Sequence, residues 1–336
     1  MALLSDYDYE LPPAAIAQTP LADRASSKLL WLHKDGRIEH RRFREAVDIL
    51  VPGDLLVLND TRVTALRLFG RKATGANIEL LLLRDLGGDV FEALAKPGAR
   101  LKPGAEAQFE NGLRCEFEEN LGGGRKKVRF FANGSVGELI REVGKVPLPP
   151  YIHERLTDPE RYQTVYNASP GSAAAPTAGL HFTPEILERL ELKGVRLARV
   201  TLDVGLDTFR PVKAERLEDH EMHGERCTIS PETAQAVSGC KGRIVAVGTT
   251  AVRTLESFAV GPREVAAGSK DTNIFIRPGF EFQVIDGMFT NFHMPRTTML
   301  IMLSALVPRE RLMAGYDEAL TKGYRFLSFG DSMLIL

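Results

Sequence analysis

Two histidines stand in settings suited to proton transfer. His181 closes the run Ala173-Ala174-Ala175-Pro176-Thr177-Ala178-Gly179-Leu180-His181-Phe182. Small side chains let backbone approach a ligand closely, and an imidazole titrating near neutral pH can then act as acid or base. A tightly packed loop around a structural histidine is the rival reading. His293 lies in Thr290-Asn291-Phe292-His293-Met294-Pro295. There an amide, an imidazole and an aromatic ring can together recognise a purine by edge hydrogen bonds and stacking; a core histidine beside a turn proline competes. Asn59-Asp60-Thr61-Arg62 offers a carboxylate and a guanidinium at a strand end, for catalysis or a cation, or simply as an Asx-turn with an ion pair. Gly248-Thr249-Thr250 falls between strand and helix, where free N–H groups receive a carboxylate or hydroxyl. Arg253, one turn further, can pair with the same anion. A plain helix cap and a surface salt bridge are the alternatives there.

Other chemistries lack their residues. There is no G-x-G-x-x-G after a strand, no G-x-x-x-x-G-K-[ST], no H-E-x-x-H and no paired C-x-x-C, which argues against a dinucleotide dehydrogenase, a P-loop kinase and a zinc enzyme. His220 and His223, with Asp219, Glu221 and Glu225 nearby, have the i, i+3 spacing of one helical face. Their polar surroundings favour an exposed face over a metal site, and no metal is expected.

The elements that must position these groups read as α/β. Asp54 to Leu58, Val195 to Val204 and Arg243 to Val247 read as strands. Pro184 to Leu192 reads as a helix with Thr183 as N-cap, and Ala251 to Phe258 as another. Strands alternating with helices imply a mixed, partly parallel sheet with helices. The segment 63–147 differs. Its short apolar runs (Ile78 to Leu83, Val90 to Leu94, Leu113 to Phe117, Val128 to Phe131) are separated by Gly and Pro clusters, and one helix is expected near Val136 to Val143. Asn111-Gly112 reads as a two-residue hairpin turn. The expected architecture is therefore an α/β domain formed by 1–62 and 148–336, with a small β-barrel at 63–147 inserted into it. Pro147-Leu148-Pro149-Pro150 would be a stiff return linker.

The chain of 336 residues carries 43 Lys plus Arg against 44 Asp plus Glu, a formal charge of −1. That excludes nucleic-acid binding by bulk positive charge, although not through a local basic face. Segment 63–147 holds 14 basic and 11 acidic residues, with the excess concentrated in Arg125-Lys126-Lys127 and Arg129. Such a run is either a solvated hairpin or a footprint for RNA. Met1 to Glu10 lacks a basic leader before an apolar run, and the longest apolar run, Met299 to Val307, is too short for a membrane span. Cys115, Cys227 and Cys240 lack ligand-like spacing and suit free thiols in a reducing compartment. A cytoplasmic protein is expected, and a monomer, because no self-complementary apolar stripe is evident.

Taken in order, the loops resemble one family. Asn59 to Val63, Gly144 to Tyr151, Tyr162 to Tyr166, Ala174 to Phe182, Gly248 to Arg253, Thr290 to Pro295 and Phe329-Gly330-Asp331 are similar to blocks of the S-adenosylmethionine:tRNA ribosyltransferase-isomerases of queuosine biosynthesis. The resemblance implies transfer and isomerisation of the ribosyl part of S-adenosylmethionine, a co-substrate rather than a bound cofactor. The acceptor would be 7-aminomethyl-7-deazaguanine at the wobble position of tRNA, and the products epoxyqueuosine-tRNA, adenine and methionine. It also implies an α/β domain carrying an inserted barrel.

Carried onto this chain, the resemblance makes His181 and His293 the base and acid, in either assignment. Asp60 would offset the sulfonium charge or take a proton. Arg62 and Arg253 would bind the methionine carboxylate or RNA backbone. Thr177, Ala178, Gly179, Gly248, Thr249, Thr250 and Asn291 would hold the co-substrate, and Lys126, Lys127, Arg129 and Lys145 would contact tRNA. The chain departs from the family pattern at Asp203, where His is usual, at Asp207, where Gly is usual, and at Ala251, where Ser is common. Asp203 is therefore left out of the catalytic set. An RNA methyltransferase using the same donor and a non-catalytic tRNA-binding module are the alternatives. The missing glycine-rich fingerprint counts against the first, and the clustered His, Asp and Gly/Thr loops against the second.

Overall fold

The computed structural model describes residues 3–98, 101–205, 212, 214–222 and 224–336. The chain forms two compact units, one from Met1–Arg62, Pro149–Ser169 and Ala175–Leu336, the other from Val63–Leu148 and Pro170–Ala174.

A nine-stranded sheet organises the first unit. Its strands are β1 (Lys28–Leu32), β2 (Ile38–Arg42), β3 (Leu55–Asn59), β4 (Arg196–Leu202), β5 (Glu225–Ile229), β6 (Ile244–Val247), β7 (Gly268–Thr272), β8 (Gly287–Asn291) and β9 (Ser332–Ile335). They lie in the order β7-β5-β4-β3-β6-β8-β9-β1-β2. The four central strands β4, β3, β6 and β8 run parallel, as does β9 with β1; the other pairs are antiparallel. Every residue of β3, β6, β8 and β9 is buried, which is why these strands read as continuous apolar runs without alternation. The outermost strands, IEHRR and GSKDT, are polar and largely exposed, a composition that discourages pairing with another chain.

The helices follow local signals. Thr183 Oγ1 accepts from Ile186 N at 3.4 Å and Pro184 occupies the first turn of Pro184–Leu192, the cap the sequence predicts. The expected helix at Ala251 starts earlier, as Gly248–Ser257. The apolar run at 299–307 lies mainly in a core helix, Thr298–Leu306, whose Leu300, Ile301 and Leu303 are fully buried. Among the described residues no helix is long and apolar enough to cross a membrane.

Asp54 is not the first residue of a strand as expected. Its carboxylate accepts from Val51 N at 3.0 Å and Arg243 N at 2.8 Å, and meets the Arg243 guanidinium at 2.6 Å. This clamp joins the turn entering β3 to the start of β6.

The second unit contains a closed six-stranded barrel, in the order 125–131, 90–96, 77–87, 66–72, 106–108 and 114–122, every neighbouring pair antiparallel. Leu68, Leu80, Leu82, Ala93, Phe117, Val128 and Phe130 fill it. Three of the expected barrel runs lie within strands and the fourth, Leu113 to Phe117, does so from Arg114 on; Val136–Val143 is a helix capped by Ser135. The strand Leu66–Lys72 went unread because Gly70 interrupts its pattern. A Cβ there would come within 2.6 Å of Gln108 O and the Phe109 ring, so only glycine lets the neighbouring strand approach. Asn111-Gly112 does turn the chain between two strands. It does so inside a wider 3-10 turn, with Asn111 at φ 56°, rather than as a two-residue hairpin.

The basic run on 125–131 corrects an expectation. Residues alternate sides along a strand, and Lys126 points inward: it is 4% exposed and its Nζ donates to Leu101 O at 2.8 Å. It cannot serve as a surface contact for RNA. Lys127 and Arg129 both pair with Glu118, and Arg125 pairs with Glu92.

The Asp54 clamp sets a pH-dependent contribution to stability. Burial pushes its carboxyl up, but the Arg243 guanidinium and the two backbone N–H groups outweigh burial and hold it below the usual carboxylate range. Its contribution is therefore present above that range and lost as pH falls through the folded-state value. Asp54→Asn is expected to destabilise the protein by about 2 kcal/mol at pH 7. In thermal melts the gap to wild type should narrow toward about pH 3; a gap independent of pH would mean the clamp is not charged.

Candidate active site

Parallel pairing brings the carboxyl ends of β4, β3, β6 and β8 to one edge of the sheet, the edge where open α/β sheets bind ligands. Asn59 ends β3 there, fully buried. Its Nδ2 donates to Leu202 O at 3.2 Å and Thr250 Oγ1 at 3.1 Å, and its Oδ1 accepts from Leu202 N at 3.1 Å and Thr61 N at 3.2 Å. One amide thus joins β3, the end of β4, and the helix that follows β6.

Beside this junction lies a cavity of about 440 Å³, within the range of small-molecule sites. Gly248, Thr249 and Thr250 line it with the N-terminus of the ten-residue helix Gly248–Ser257, whose first N–H groups have no intrahelical acceptors. Gly248 has φ +84°, and a Cβ there would stand 3.5 Å from Ala178 Cβ. This is the close backbone approach that the small-residue loop makes room for. Thr177 and Ala178 line the same cavity; Gly179 does not. Gly179 instead packs under Tyr166, whose hydroxyl a Cβ would overlap. Val204, Val212, Met299 and Leu327 supply apolar wall. Tyr151 and Ser328, bonded to each other at 2.7 Å, also line it and were missed as site residues; Tyr151 ends a block that carried the resemblance.

The two histidines separate in role. His293 lines the cavity. Its Nε2 lies 2.7 Å from Thr290 Oγ1, its backbone N donates to Tyr316 Oη at 3.0 Å, and its Nδ1 has no partner among the described residues. Burial lowers its pKa to about 3, so the ring is neutral. If Nε2–H donates to Thr290, the Nδ1 lone pair is available to a ligand; if Thr290 donates, Nδ1–H is available instead.

His181 does not line the cavity but a small cleft beside it. Its ring stacks on Phe43 at 5.0 Å and bonds Ser27 Oγ at 2.8 Å and Asn291 Nδ2 at 3.3 Å. Burial, then the charges of Arg325 and Arg24, lower its pKa to about 3. Asn291 Nδ2 also donates to Leu327 O at 3.3 Å, and its Oδ1 accepts from Thr177 Oγ1 at 3.0 Å. A carbonyl can only accept, which orients the amide: His181 Nε2 is the acceptor and its Nδ1–H donates to Ser27. Asn291 therefore lines the cavity with both Nδ2 hydrogens committed and one Oδ1 lone pair left over. It can accept from a purine edge but not donate to one, and the Phe292 ring is fully buried against Tyr316 and Phe326 rather than free to stack.

The charged candidates are likewise engaged. Asp60 Oδ1 accepts from Thr201 Oγ1 at 2.7 Å, outside the cavity lining. Arg62 pairs with Glu160 at 2.6 Å and donates to Asn167. Arg253 is 6% exposed and forms a buried pair with Glu225, whose other oxygen accepts from Gly205 N at 3.0 Å. Neither arginine presents a free guanidinium to the cavity. Glu225 lay inside the segment read as an exposed polar face, and no local signal marks its burial. Asp203 accepts from Thr61 Oγ1 at 3.3 Å, and burial raises its pKa, with Asp60 and Glu225 adding to the effect. Asp207 and His223 lie outside the described residues. His220 lies outside any helix, its ring against Phe275, and the described residues hold no metal-binding group of three ligands.

Known proteins resemble this chain along nearly its whole length. A family model described as "Queuosine biosynthesis protein" matches residues 4–335. The S-adenosylmethionine:tRNA ribosyltransferase-isomerase of Heliobacterium modesticaldum is 52% identical over 98% of both chains, and that of Desulfitobacterium hafniense 49% over 99% of both. The crystal structure of S-adenosylmethionine tRNA ribosyltransferase from Thermotoga maritima is 38% identical, covers 98% of this chain and 100% of that one, and superposes with a TM-score of 0.57. The chain belongs to the queuosine biosynthesis protein family.

Two measurements check the geometry. Ring-nitrogen NMR should show His181 as the Nδ1–H tautomer, and both histidines neutral down to about pH 5, well below the usual imidazole range. A ring protonating near pH 6.5 would contradict its burial. Gly179→Ala should cost about 1–3 kcal/mol through overlap with the Tyr166 hydroxyl, and Tyr166→Phe should restore much of the loss. Wild-type stability in Gly179→Ala would refute that contact.

Proposed function

We propose that this chain transfers and isomerises the ribosyl moiety of S-adenosylmethionine onto 7-aminomethyl-7-deazaguanine at the wobble position of tRNA, giving epoxyqueuosine-tRNA, adenine and methionine. It works as a cytoplasmic monomer without a resident cofactor. The observation that carries this reading is the convergence of three distant loops, 177–178, 248–250 and 290–293, on one cavity at the carboxyl edge of the sheet. It is supported by relatives about half identical over nearly the whole chain.

The sulfonium acidifies the C5′ protons of the ribose, so a positioned base can form an ylide. His293 takes this role. Its neutral ring, with Thr290 holding Nε2, leaves Nδ1 to accept the proton. Adenine then leaves, the acceptor amine attacks, and closure of the epoxide expels methionine. The helix N-terminus at Gly248–Thr250 receives the methionine carboxylate through backbone N–H groups, in place of Arg62 or Arg253. His181 is a positioning residue: through Asn291 it fixes Thr177 and the backbone at Leu327 on the cavity wall.

The test follows products. With S-adenosylmethionine and tRNA bearing the aminomethyl-deazaguanine, adenine and methionine should appear in equal amounts. Release of S-adenosylhomocysteine would identify a methyltransferase, and binding of tRNA without turnover a non-catalytic module. His293→Ala should lower kcat by about a hundredfold or more with the fold intact; near-normal turnover would remove His293 as the base.

A further inference from the structure

Among the partly buried arginines of the first unit, Arg62, Arg243 and Arg263 each meet a carboxylate, and the buried Arg253 does too. Three others do not. Arg24 donates to Gln163 O at 2.8 Å and Glu160 O at 3.1 Å, Arg161 to Ala22 O at 3.2 Å and to Leu21 O, and Arg325 to Thr19 O at 3.2 Å. All these acceptors are neutral carbonyls. No carboxylate pairs with these guanidiniums among the described residues, and Arg161 Nε is buried without any partner. The three side chains converge on one small cleft that also includes Ser27, His181 and Ser328.

Like charges gathered in a partly desolvated place repel one another. Burial and then the neighbouring Arg161 lower the pKa of Arg24, with Asp158 and Glu160 offsetting part of the effect, and Arg24 and Arg325 both act on His181. A bound anion offsets such a cost. The nearest carboxylates are otherwise engaged: Asp158 caps the turn at Glu160, Glu160 pairs with Arg62, and Asp331 accepts from the backbone N–H groups of Lys28 and Arg325. Asp158 and Glu160 line a second cleft, which Arg24 and Arg161 also line, and not the one shared with Arg325.

We propose that Arg24, Arg161 and Arg325 form a phosphodiester site that grips the RNA backbone beside the nucleotide presented to the cavity. This rests on the reading of the chain as a tRNA-modifying enzyme. Three features set the ligand class. The space among the arginines is only about 20 Å³, too little for a base, a sugar or a whole phosphate, so the ligand meets the arginines at the open mouth of the cleft, as one anionic group of a larger molecule. Planar guanidinium forks match phosphate oxygens in geometry as well as charge. The cleft also adjoins the cavity: Ser328 lines both, and His181, which lines the cleft, bonds Asn291, which lines the cavity. A nucleotide reaching the cavity thus carries its neighbouring phosphate past the arginines.

Arg325→Gln is the informative variant, because Arg325 has a single side-chain bond, to Thr19 O, whereas Arg24 and Arg161 each support two backbone carbonyls. Binding of tRNA bearing the aminomethyl-deazaguanine is measured between 50 and 300 mM KCl. The expected result is about tenfold weaker binding, with the slope of log affinity against log salt reduced by about 0.7, partial recovery in Arg325→Lys, and unchanged S-adenosylmethionine affinity. An unchanged slope and affinity for tRNA would overturn the proposal. So would a loss confined to S-adenosylmethionine, which would assign the cleft to the methionine carboxylate. If inorganic phosphate raises the melting temperature of wild type but not of Arg325→Gln while tRNA binding is equal, the cleft takes a free anion and the RNA assignment fails. Wild-type product release, assayed on the same preparation, tests the enzymatic reading separately from RNA affinity.

Discussion

The candidate site depends on one buried amide. Asn59 spends both Nδ2 hydrogens and both Oδ1 lone pairs on Leu202 of β4, Thr250 of the helix after β6, and Thr61. In a dry interior each of those bonds, if broken, leaves a polar group unpaired at a cost of about 1–3 kcal/mol. The amide therefore tolerates little displacement of the β4 end or of Thr250. Everything that faces the cavity from Gly248 to Thr250 inherits its position from this residue.

Around that anchor the cavity is built mostly from neutral groups. His293 is uncharged and the described lining contains no carboxylate; Arg296, which faces Asp8 at 3.9 Å, is its charged member. Other charge nearby is held outside it, in closed pairs such as Arg253–Glu225 and Arg62–Glu160 or in the three arginines of the adjoining cleft. The division of labour between the histidines follows from the same layout: one faces the cavity, the other braces the residue that does.

What the sequence made legible was whatever is encoded within a few residues. Thr183-Pro184 announced a helix start, and uninterrupted apolar runs announced strands covered on both faces. The loops at 248–250 and 290–293 proved to share a cavity, because strand ends in a parallel sheet must lie together. Fine role assignment depended on partners remote in sequence. Period-2 alternation with Val128 and Phe130 already puts Lys126 on the inward face, against its expected place on the surface; what the sequence hides is its acceptor, Leu101 O. Nothing near Arg253 points to Glu225, and nothing near Asn291 reveals that His181 and Thr177 already occupy its amide. Polar residues near a ligand look alike in sequence whether they touch it or hold something that does.

The place of β9 in the sheet has a consequence for how the protein assembles. β9, from residues 332–335, lies between β8 and β1, and the Asp331 carboxylate just before it holds Lys28 N across 303 positions of sequence. Among the described residues, the strand that pairs with the β1–β2 hairpin from outside it is β9. During synthesis the free edge of β1 therefore stays unpaired until β9, about 300 residues later, has been made. This places the unit among proteins whose closure is slow and dominated by distant contacts, and makes that early hairpin the natural client of whatever shields nascent strands.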